Sequence, residues 1–250
     1  MMDWIEPRLD LWRAATDNDA PLERQWRHVG LHRVQHRVIA VHRSDDTRVV
    51  RTRVAPAAVD CGLFATYTWR DTGGGLRLDL DVVPDGEWTV PLPRLGLRFA
   101  LPARFDRVEW FGLGPGEAYV DSRRAARLGR YSATVDEMQT PYVRPQENGA
   151  RLDVRWATLR AADGAGLRVQ GDPVFMFTAR RWTTEQLDAA RHTTDLVPGE
   201  HIWVNADLAQ HGLGSASCGP GVLPQYELPV AACSFSVTFT PLRATSNIPA

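Results

Sequence analysis

The candidate catalytic carboxylates of this chain lie in segments that are also rich in glycine, proline and aromatic residues. They are Glu117, Asp136, Glu137 and Glu147. A pair of carboxylates can divide the work of bond cleavage, one as proton donor and the other as nucleophile or base. Glu147, however, lies between Arg144 and Arg151 in the run Thr-Pro-Tyr-Val-Arg-Pro-Gln-Glu-Asn-Gly-Ala-Arg, residues 140–151. We expect Glu147 to hydrogen-bond arginine or backbone groups and to hold its loop.

A glycine-rich loop, residues 210–224, brings a histidine, serines and a cysteine into one short stretch. It contains His211, Ser217, Cys218 and Gly219. The sequence Gly-Ser-Ala-Ser-Cys-Gly does not match the Gly-x-Ser-x-Gly nucleophile elbow, which also needs a strand before it and a helix after it. A Cys218 nucleophile paired with His211 is a conceivable alternative. The glycines predict a mobile or tightly turned loop.

Three histidines, His28, His32 and His36, follow one another at intervals of four residues. On one continuous helix their imidazoles would share a face, as metal ligands do. Gly30 interrupts such a helix, and the residues after His32 have the character of a strand. We therefore predict a short helix that runs into a strand, with solvated histidines and no metal site.

Composition narrows the class of protein. The chain has 250 residues, of which 44% are hydrophobic and 24% charged, and its net charge is -1. This balance gives no electrostatic reason to expect nucleic acid or an anionic membrane as a partner. All 29 basic residues are arginine, which excludes a Schiff-base or P-loop lysine. Three cysteines make no disulfide framework, and no stretch has the length of a membrane span or the apolar core of a signal peptide, so we expect a cytoplasmic protein.

The elements that must position these residues are mostly strands. Hydrophobic side chains alternate with polar ones in residues 76–82, 95–101, 152–156 and 235–239, a pattern typical of antiparallel sheets with one wet face. Short helices are predicted only at residues 21–27 and 184–191, the second with Thr183 as its N-cap. The pattern predicts an all-β protein with two large packed sheets. We assign residues 1–242 to one domain and expect the polar tail, residues 243–250, to fray.

Five segments, taken in order, carry a resemblance to a known family. They are Leu-Trp-Arg-Ala-Ala-Thr-Asp-Asn-Asp at 11–19, Trp-Phe-Gly-Leu-Gly-Pro-Gly-Glu-Ala-Tyr at 110–119, the run at 140–151 quoted above, residues 164–171, and His-Gly-Leu-Gly with Cys-Gly-Pro-Gly at 211–221. In this order they resemble the C-terminal domain of family 2 β-galactosidases, which two-subunit versions make as a separate small chain. The resemblance extends from about residue 11 to residue 242.

The resemblance implies a fold and a division of labour. The fold would be the large antiparallel twisted β-sandwich shared with galactose mutarotases. The enzyme would hydrolyse terminal β-D-galactosides, and its catalytic glutamates would lie on an α/β-barrel domain for which this chain has no strand–helix alternation. The isolated chain is therefore expected to be inactive. No cofactor is expected in it, whereas magnesium and sodium ions are expected on the catalytic domain. Its partners would be that barrel domain or large subunit and the galactoside, and the assembly could be oligomeric.

The resemblance also implies a binding role for the glycine-rich loop. The corresponding loop of these β-galactosidases reaches the barrel active site, which makes His211, Ser217, Cys218 and Gly219 candidate substrate-binding residues. Many members present a tryptophan there against the sugar or aglycone. Cys218 occupies the matching position in this chain, so flat aromatic stacking is impossible and aglycone preference should differ.

Two other classes of function remain open from the sequence. A stand-alone sugar mutarotase could use Glu147 as base and His211 as acid. A carbohydrate-binding module could use exposed aromatic faces, for which the candidates are Trp110, Tyr142, Trp156, Trp182 and Trp203. Most aromatic residues in a sandwich, however, serve packing.

Overall fold

Antiparallel strands dominate the computed structural model, which describes residues 4–57 and 59–244. In these residues the strands are β1 (Ile5–Asp10), β2 (Gln35–Arg43), β3 (Thr47–Ala55), β4 (Gly62–Asp71), β5 (Leu76–Asp85), β6 (Arg94–Pro102), β7 (Arg107–Gly114), β8 (Arg127–Thr134), β9 (Arg151–Arg160), β10 (Gly166–Arg180), β11 (His201–Gln210) and β12 (Cys233–Leu242). The helices are α1 (Ala20–Val29) and α2 (Thr184–Ala189), with short 3-10 turns at Asp17–Asp19, Leu31–Arg33, Thr193–Asp195 and Pro224–Tyr226. The predicted all-β class is confirmed.

The strands join into a single hydrogen-bonded sheet rather than two separate ones. Its main path runs β1-β6-β11-β10-β12-β5-β4-β3-β2, while β9 pairs with the other edge of β10 and leads on to β7 and β8. The long strand β10 is the branch point, because its first half pairs with β12 and its second half with β11. Buried side chains from β1, β3–β7 and β9–β12 belong to one hydrophobic cluster. The sheet must therefore bend round on itself, so the packed layers are parts of one continuous, twisted sheet.

The alternation read from the sequence is confirmed on β5 and β12. Leu78 and Leu80 are buried opposite Val237 and Phe235 of the neighbouring strand, while the intervening charged residues of β5 are partly or fully exposed. Each large apolar side chain that is fully buried contributes ~1.5–3 kcal/mol to folding. These cross-strand pairs therefore hold β5 and β12 in register.

On β6 the prediction of one wet face is wrong. The side chains of Leu95, Leu97 and Phe99 enter the hydrophobic core as expected, but Arg94 and Arg98 on the other face are also buried. Neighbouring polypeptide covers that second face, and the buried arginines find their partners within it. A polar interior layer thus lies behind the apolar one, and it supports the loops described below.

Both predicted helices are present. α1 ends at Gly30, whose φ of 90° is left-handed and suits glycine. α2 ends two residues earlier than predicted, and Thr183 caps it as expected: the backbone N–H of Gln186 donates to Oγ1 of Thr183 at 3.1 Å. Neither helix is long and apolar enough to cross a membrane, as far as the described residues go. The last strand ends at Leu242, and the predicted frayed tail lies outside the described residues from residue 245 onward.

Gly96 provides a test of the close approach between β6 and β11. It pairs with Asp207, and a Cβ added at Gly96 would lie 2.3 Å from the Cα of that residue. We expect Gly96→Ala to lower the free energy of unfolding by about 1–3 kcal/mol, because the neighbouring backbone must shift. Urea unfolding would measure it, with Gly74→Ala as the control, since no atom lies within 4 Å of a Cβ there. Equal stability of the two variants would contradict the packing described here.

Candidate functional site

Glu147 is buried between two arginines. Arg94 donates from Nη2 to Oε1 at 2.9 Å, and Arg180 donates from Nη2 to Oε1 at 2.9 Å and from Nη1 to Oε2 at 3.1 Å. The backbone N–H of Glu147 donates to the carbonyl of Ala14 at 3.0 Å. The prediction that Glu147 holds its loop through arginine and backbone groups is confirmed.

This arrangement decides what Glu147 can do chemically. Burial alone would raise the pKa of its carboxyl, but the positive charges of Arg180 and Arg94 outweigh burial and hold the pKa at about 2. Because this pKa is below the ordinary value, ionised Glu147 stabilises the folded protein. This contribution to folding stability is fully present above the ordinary pKa of a glutamate and is lost as pH falls toward 2. A general base works best with a pKa near the working pH. Glu147 therefore suits a structural ion pair, and the geometry gives no support to its role as the base of a mutarotase.

The segment 11–19 holds the start of the glycine-rich loop through buried hydrogen bonds. Arg13 and Asp19 form a buried ion pair, with Nη2 and Oδ1 at 2.6 Å. The same guanidinium donates to the carbonyl of Gly212 at 3.0 Å and to the carbonyl of His211. The start of the loop is thereby attached to a residue almost two hundred positions earlier in the chain.

Asp121 and Asn18 hold the next part of the loop. The carboxylate of Asp121 accepts from the backbone N–H groups of Leu213 and Gly214 at 2.9 and 2.8 Å. The side chain of Asn18 donates to the carbonyl of Gly214 at 2.9 Å, and its Oδ1 accepts from the N–H and the hydroxyl of Ser217 at 3.1 and 2.6 Å. Five hydrogen bonds from two side chains thus fix a segment that the sequence alone would allow to be mobile.

Ser217, Cys218 and Gly219 form an exposed turn at the tip of this loop. The backbone N–H groups of Cys218 and Gly219 both donate to the carbonyl of Ser215, at 3.0 and 2.6 Å. The Cys218 thiol is free and exposed. The structure therefore brings three of the four predicted binding residues together at the surface, where another surface or a ligand can reach them.

His211 lies beneath the loop rather than at its tip. Its imidazole is 1% exposed, Nδ1 accepts from the backbone N–H of Leu228 at 3.1 Å, and Nε2 has no hydrogen-bond partner. Burial, with Arg13 adding to it, lowers the pKa of His211 to about 4. A neutral, buried imidazole is not paired with Cys218, so the geometry does not support the alternative of a cysteine nucleophile. A substrate-binding role for His211 stays a prediction; the contacts described here are those of an anchor.

The run at 140–151 meets the same anchor segment. The backbone N–H of Asp17 donates to Oε1 of Gln146 at 3.0 Å, and Nε2 of Gln146 donates back to the Asp17 carboxylate at 3.2 Å. Arg144 lies 3.6 Å from the same carboxylate. Residues 16–19 therefore join residues 140–148 to residues 211–222. We call these three segments together the loop surface.

Several residues of this site had no role in the sequence interpretation. Arg13 and Asn18 lie within the quoted segment 11–19, whose polar residues are the one signal that could have identified them. Asp121 lies two residues beyond the segment 110–119, and nothing in its local pattern marks it. Their roles depend on contacts with a loop about 90 to 200 residues later in the chain.

The remaining candidate residues are separated by the fold. His28 is on α1, His32 is in the following 3-10 turn and His36 begins β2. The predicted path from helix to strand is confirmed, but the prediction that these histidines are solvated is correct only for His28, because His32 and His36 are partly buried. Burial lowers the pKa of His36 to about 4, with the charge of Arg8 as the next cause. Across residues 4–57 and 59–244, no group of three or more His, Cys, Asp and Glu side chains could hold a metal ion.

The aromatic candidates for a sugar platform are also dispersed. Trp110 is 1% exposed and belongs to the core. Trp156 is flanked by the guanidinium groups of Arg130 and Arg168, at 5.7 and 4.6 Å from its ring. Tyr142 is partly exposed, and its hydroxyl donates to a carboxylate oxygen of Glu117 at 2.7 Å. Packing and local pairing thus account for these three rings.

Comparison with known proteins gives a consistent result. A family model described as beta galactosidase small chain matches residues 1–240. The chain is 34% identical over 250 residues to a beta-galactosidase of Arthrobacter sp. (strain B7), with 89% of this chain and 25% of that protein covered. It is 31% identical over 240 residues to a beta-galactosidase of Priestia megaterium, with 93% and 23% covered. The chain thus spans about a quarter of the length of these curated relatives.

Among solved structures, the chain resembles a putative aldose 1-epimerase from Escherichia coli K12. The TM-score is 0.43 and the identity 12%, and the match covers 84% of this chain and 69% of that one. A likeness at this level carries no argument about function.

Glu147→Gln tests the buried ion pairs beneath the loop surface. The substitution keeps the shape of the side chain but removes the carboxylate that two buried arginines share, so that Arg180 loses its counter-charge and Arg94 keeps Asp207. We expect it to lower the free energy of unfolding by about 3–5 kcal/mol. The control is Glu23→Gln, which removes a partly exposed pair with Arg27 one helical turn away and should change stability by less than about 1 kcal/mol. Urea unfolding at neutral pH would measure both variants, and equal losses would contradict the role given to Glu147.

Proposed function

This chain belongs to the β-galactosidase small-chain family, and we propose that it is the small-chain part of an enzyme that hydrolyses terminal β-D-galactosides. The observation that carries this proposal is the family match over residues 1–240. The length of the relatives supports a division of the enzyme into this part and a larger one that bears the catalytic barrel.

The contacts of the four candidate carboxylates also support a division of the enzyme into this chain and a barrel-bearing part. Glycoside hydrolysis usually needs a carboxylic acid and a second carboxylate on either side of the scissile bond. The four candidates here all bind groups of their own fold: Glu147 binds Arg94 and Arg180, Glu117 binds Tyr142, Asp136 binds Arg181 and Glu137 binds Thr134. We therefore place the catalytic glutamates, together with the magnesium and sodium ions, on the barrel-bearing part.

The loop surface is the part of this chain that we place against the galactoside site. Asn18 binds Ser217 of its exposed turn, which also contains Cys218 and Gly219, and Asp121 binds the backbone of Gly214 before the turn. A turn that is already rigid loses little conformational freedom when a ligand binds. In this proposal the turn closes the aglycone side of the pocket and the surrounding segments stabilise the assembly.

We place the enzyme in the cytoplasm. The three cysteines are all free, including the buried Cys61 and the exposed Cys218. Unpaired thiols are typical of a reducing compartment.

The first test is the activity of the separated parts. The 250-residue chain alone should hydrolyse a nitrophenyl β-galactoside no faster than buffer, because each of its four candidate carboxylates is engaged by groups of its own fold. Addition of the barrel-bearing partner should restore turnover, measured by release of nitrophenol. Turnover by the chain alone would contradict the proposal. Catalysed interconversion of α- and β-galactose by the chain, followed by polarimetry, would favour the mutarotase instead.

The second test concerns the side chain at position 218 in the assembled enzyme. Cys218→Trp should lower KM for an aryl galactoside by about threefold to tenfold, because it adds an aromatic contact on the aglycone side. Cys218→Ala should have little effect, since we assign no chemistry to the thiol. Val83→Trp is the control, because Val83 is an exposed position on β5. Loss of turnover in Cys218→Ala would make the thiol catalytic, and unchanged constants in Cys218→Trp would place the loop away from the site.

A further inference from the structure

A concave site lies at the opposite end of β1 from the loop surface. Along β1, Ile5 pairs with Ala100 and Asp10 with Gly96, so the strand runs away from the site toward the loop surface. At ~3.3 Å per residue, the five steps from Ile5 to Asp10 separate the two ends of β1 by about 16 Å. The site is a groove of about 460 Å³ bordered by β1, the β2–β3 turn, the end of β4 and the start of β5. Its volume is within the range of ligand pockets, ~300–1,000 Å³.

Two tryptophans form the apolar walls of this groove. Trp4 and Trp69 have ring centroids 6.4 Å apart and ring planes inclined by 75°, so they make a corner rather than a parallel clamp. Trp4 also packs edge-on against Phe99 and Phe239 of the core, with centroids at 6.0 and 5.2 Å. Both indoles are only partly buried. The core therefore fixes their orientation while part of each ring borders the groove.

Charged side chains of both signs surround the tryptophans. The acidic ones are Glu6, Asp45, Asp46 and Asp71, and the basic ones are Arg43, Arg48 and Arg70. The four carboxylates and three guanidinium groups nearly balance, so this rim gives little net attraction to an ionic ligand. A neutral ligand with several hydroxyl groups can donate to the carboxylates and accept from the arginines at the same time.

One donor in the rim is buried without a partner. Nε of Arg48 has no hydrogen-bond acceptor, whereas its Nη1 contacts Oε1 of Glu6 at 3.3 Å. The carboxylate of Glu6 is 63% exposed, so it can turn toward a bound hydroxyl. Polar groups that can still gain hydrogen bonds beside a fixed apolar wall are typical of ligand sites.

From these observations we propose that the tryptophan groove, lined by Trp4, Trp69 and the charged rim, binds a neutral pyranoside. The corner between the two indoles suits a puckered sugar ring, whose C–H groups can contact both rings, better than it suits a flat base that needs parallel faces. The carboxylates and guanidinium groups of the rim then bind the hydroxyl groups of the sugar. The groove is a non-catalytic carbohydrate site, and its binding does not depend on the barrel-bearing partner.

The test uses the 250-residue chain without the partner, which keeps the proposed galactoside pocket out of the measurement. Titration calorimetry with methyl β-D-galactopyranoside and with lactose should show weak, saturable binding. Saturation-transfer NMR should show the strongest transfer to the ring C–H protons of the sugar. Galacturonate, the acidic counterpart, should bind at least about threefold more weakly, because its carboxylate would be repelled by the carboxylates of the rim, which outnumber the guanidinium groups.

Two substitutions locate the binding within the groove. Trp4→Ala should weaken it roughly tenfold by removing one aromatic wall, and Glu6→Gln should weaken it roughly threefold by removing a charged acceptor. Glu200→Gln is the matched control, since Glu200 is exposed and lies outside the groove residues. Circular dichroism of each variant verifies its fold, and Glu6→Gln tests the site even if Trp4→Ala does not fold.

Three results would overturn the proposal. They are the absence of saturable binding of either neutral sugar, binding that both groove variants leave unchanged, and tighter binding of galacturonate than of the neutral galactoside. Each is independent of β-galactosidase activity, because failure of the assembled enzyme to hydrolyse galactosides would leave binding to the groove unaffected.

Discussion

The buried guanidinium of Arg94 is the interaction on which the rest of the site depends. It donates to Asp207 on β11 at 3.0 Å, to the carbonyl of Trp12 at 3.1 Å and to Glu147 at 2.9 Å. Burying a charge is strongly unfavourable unless it is paired and hydrogen-bonded. The position of Arg94 on β6 therefore requires the segment after β1, strand β11 and the run at 140–151 to converge on one point. This convergence holds in place the segments that form the loop surface.

The same crowding gives the two acidic partners of Arg94 opposite properties. Burial, reinforced by the nearby charges of Asp10 and Glu147, raises the pKa of Asp207 to about 7 although Arg94 opposes this. Ionised Asp207 thus lowers stability as pH rises from its ordinary pKa toward 7, whereas ionised Glu147 adds stability above its own ordinary pKa. The cluster combines one carboxylate that is firmly ionised with one that titrates near neutrality. Removing any one partner would leave another buried charge without its ion pair, so the network favours this one arrangement of the converging segments.

The polar groups that hold the glycine-rich loop are consistent with the assisting role proposed above. The backbone and side-chain hydrogen bonds made by Arg13, Asn18 and Asp121 hold the loop without any contribution from a ligand. The loop is therefore already ordered before a ligand binds, so binding costs it little conformational entropy. The groove at Trp4 and Trp69 differs from the loop surface in what holds it. Its tryptophan walls pack against the apolar core, and its rim consists of charged side chains.

The sequence by itself determined the all-β class, the positions of β5, β6, β9 and β12, the two helices and the family. Period-two alternation identifies β5 and β12 because a strand with one buried face imprints that period on neighbouring residues, and Thr183 marks the start of α2 because capping is a local interaction. The structural role of Glu147 was also predicted from the sequence, but its partners Arg94 and Arg180 were not. The tertiary structure decided how the strands join into one sheet, that both faces of β6 are covered, and that His211 is an anchor beneath the loop. Arg94 and Asp207 are 113 residues apart, and Asn18 and Ser217 are 199 apart. Contacts at such separations leave no periodic trace in the chain, because they arise only when the folded sheet brings distant segments to the same place.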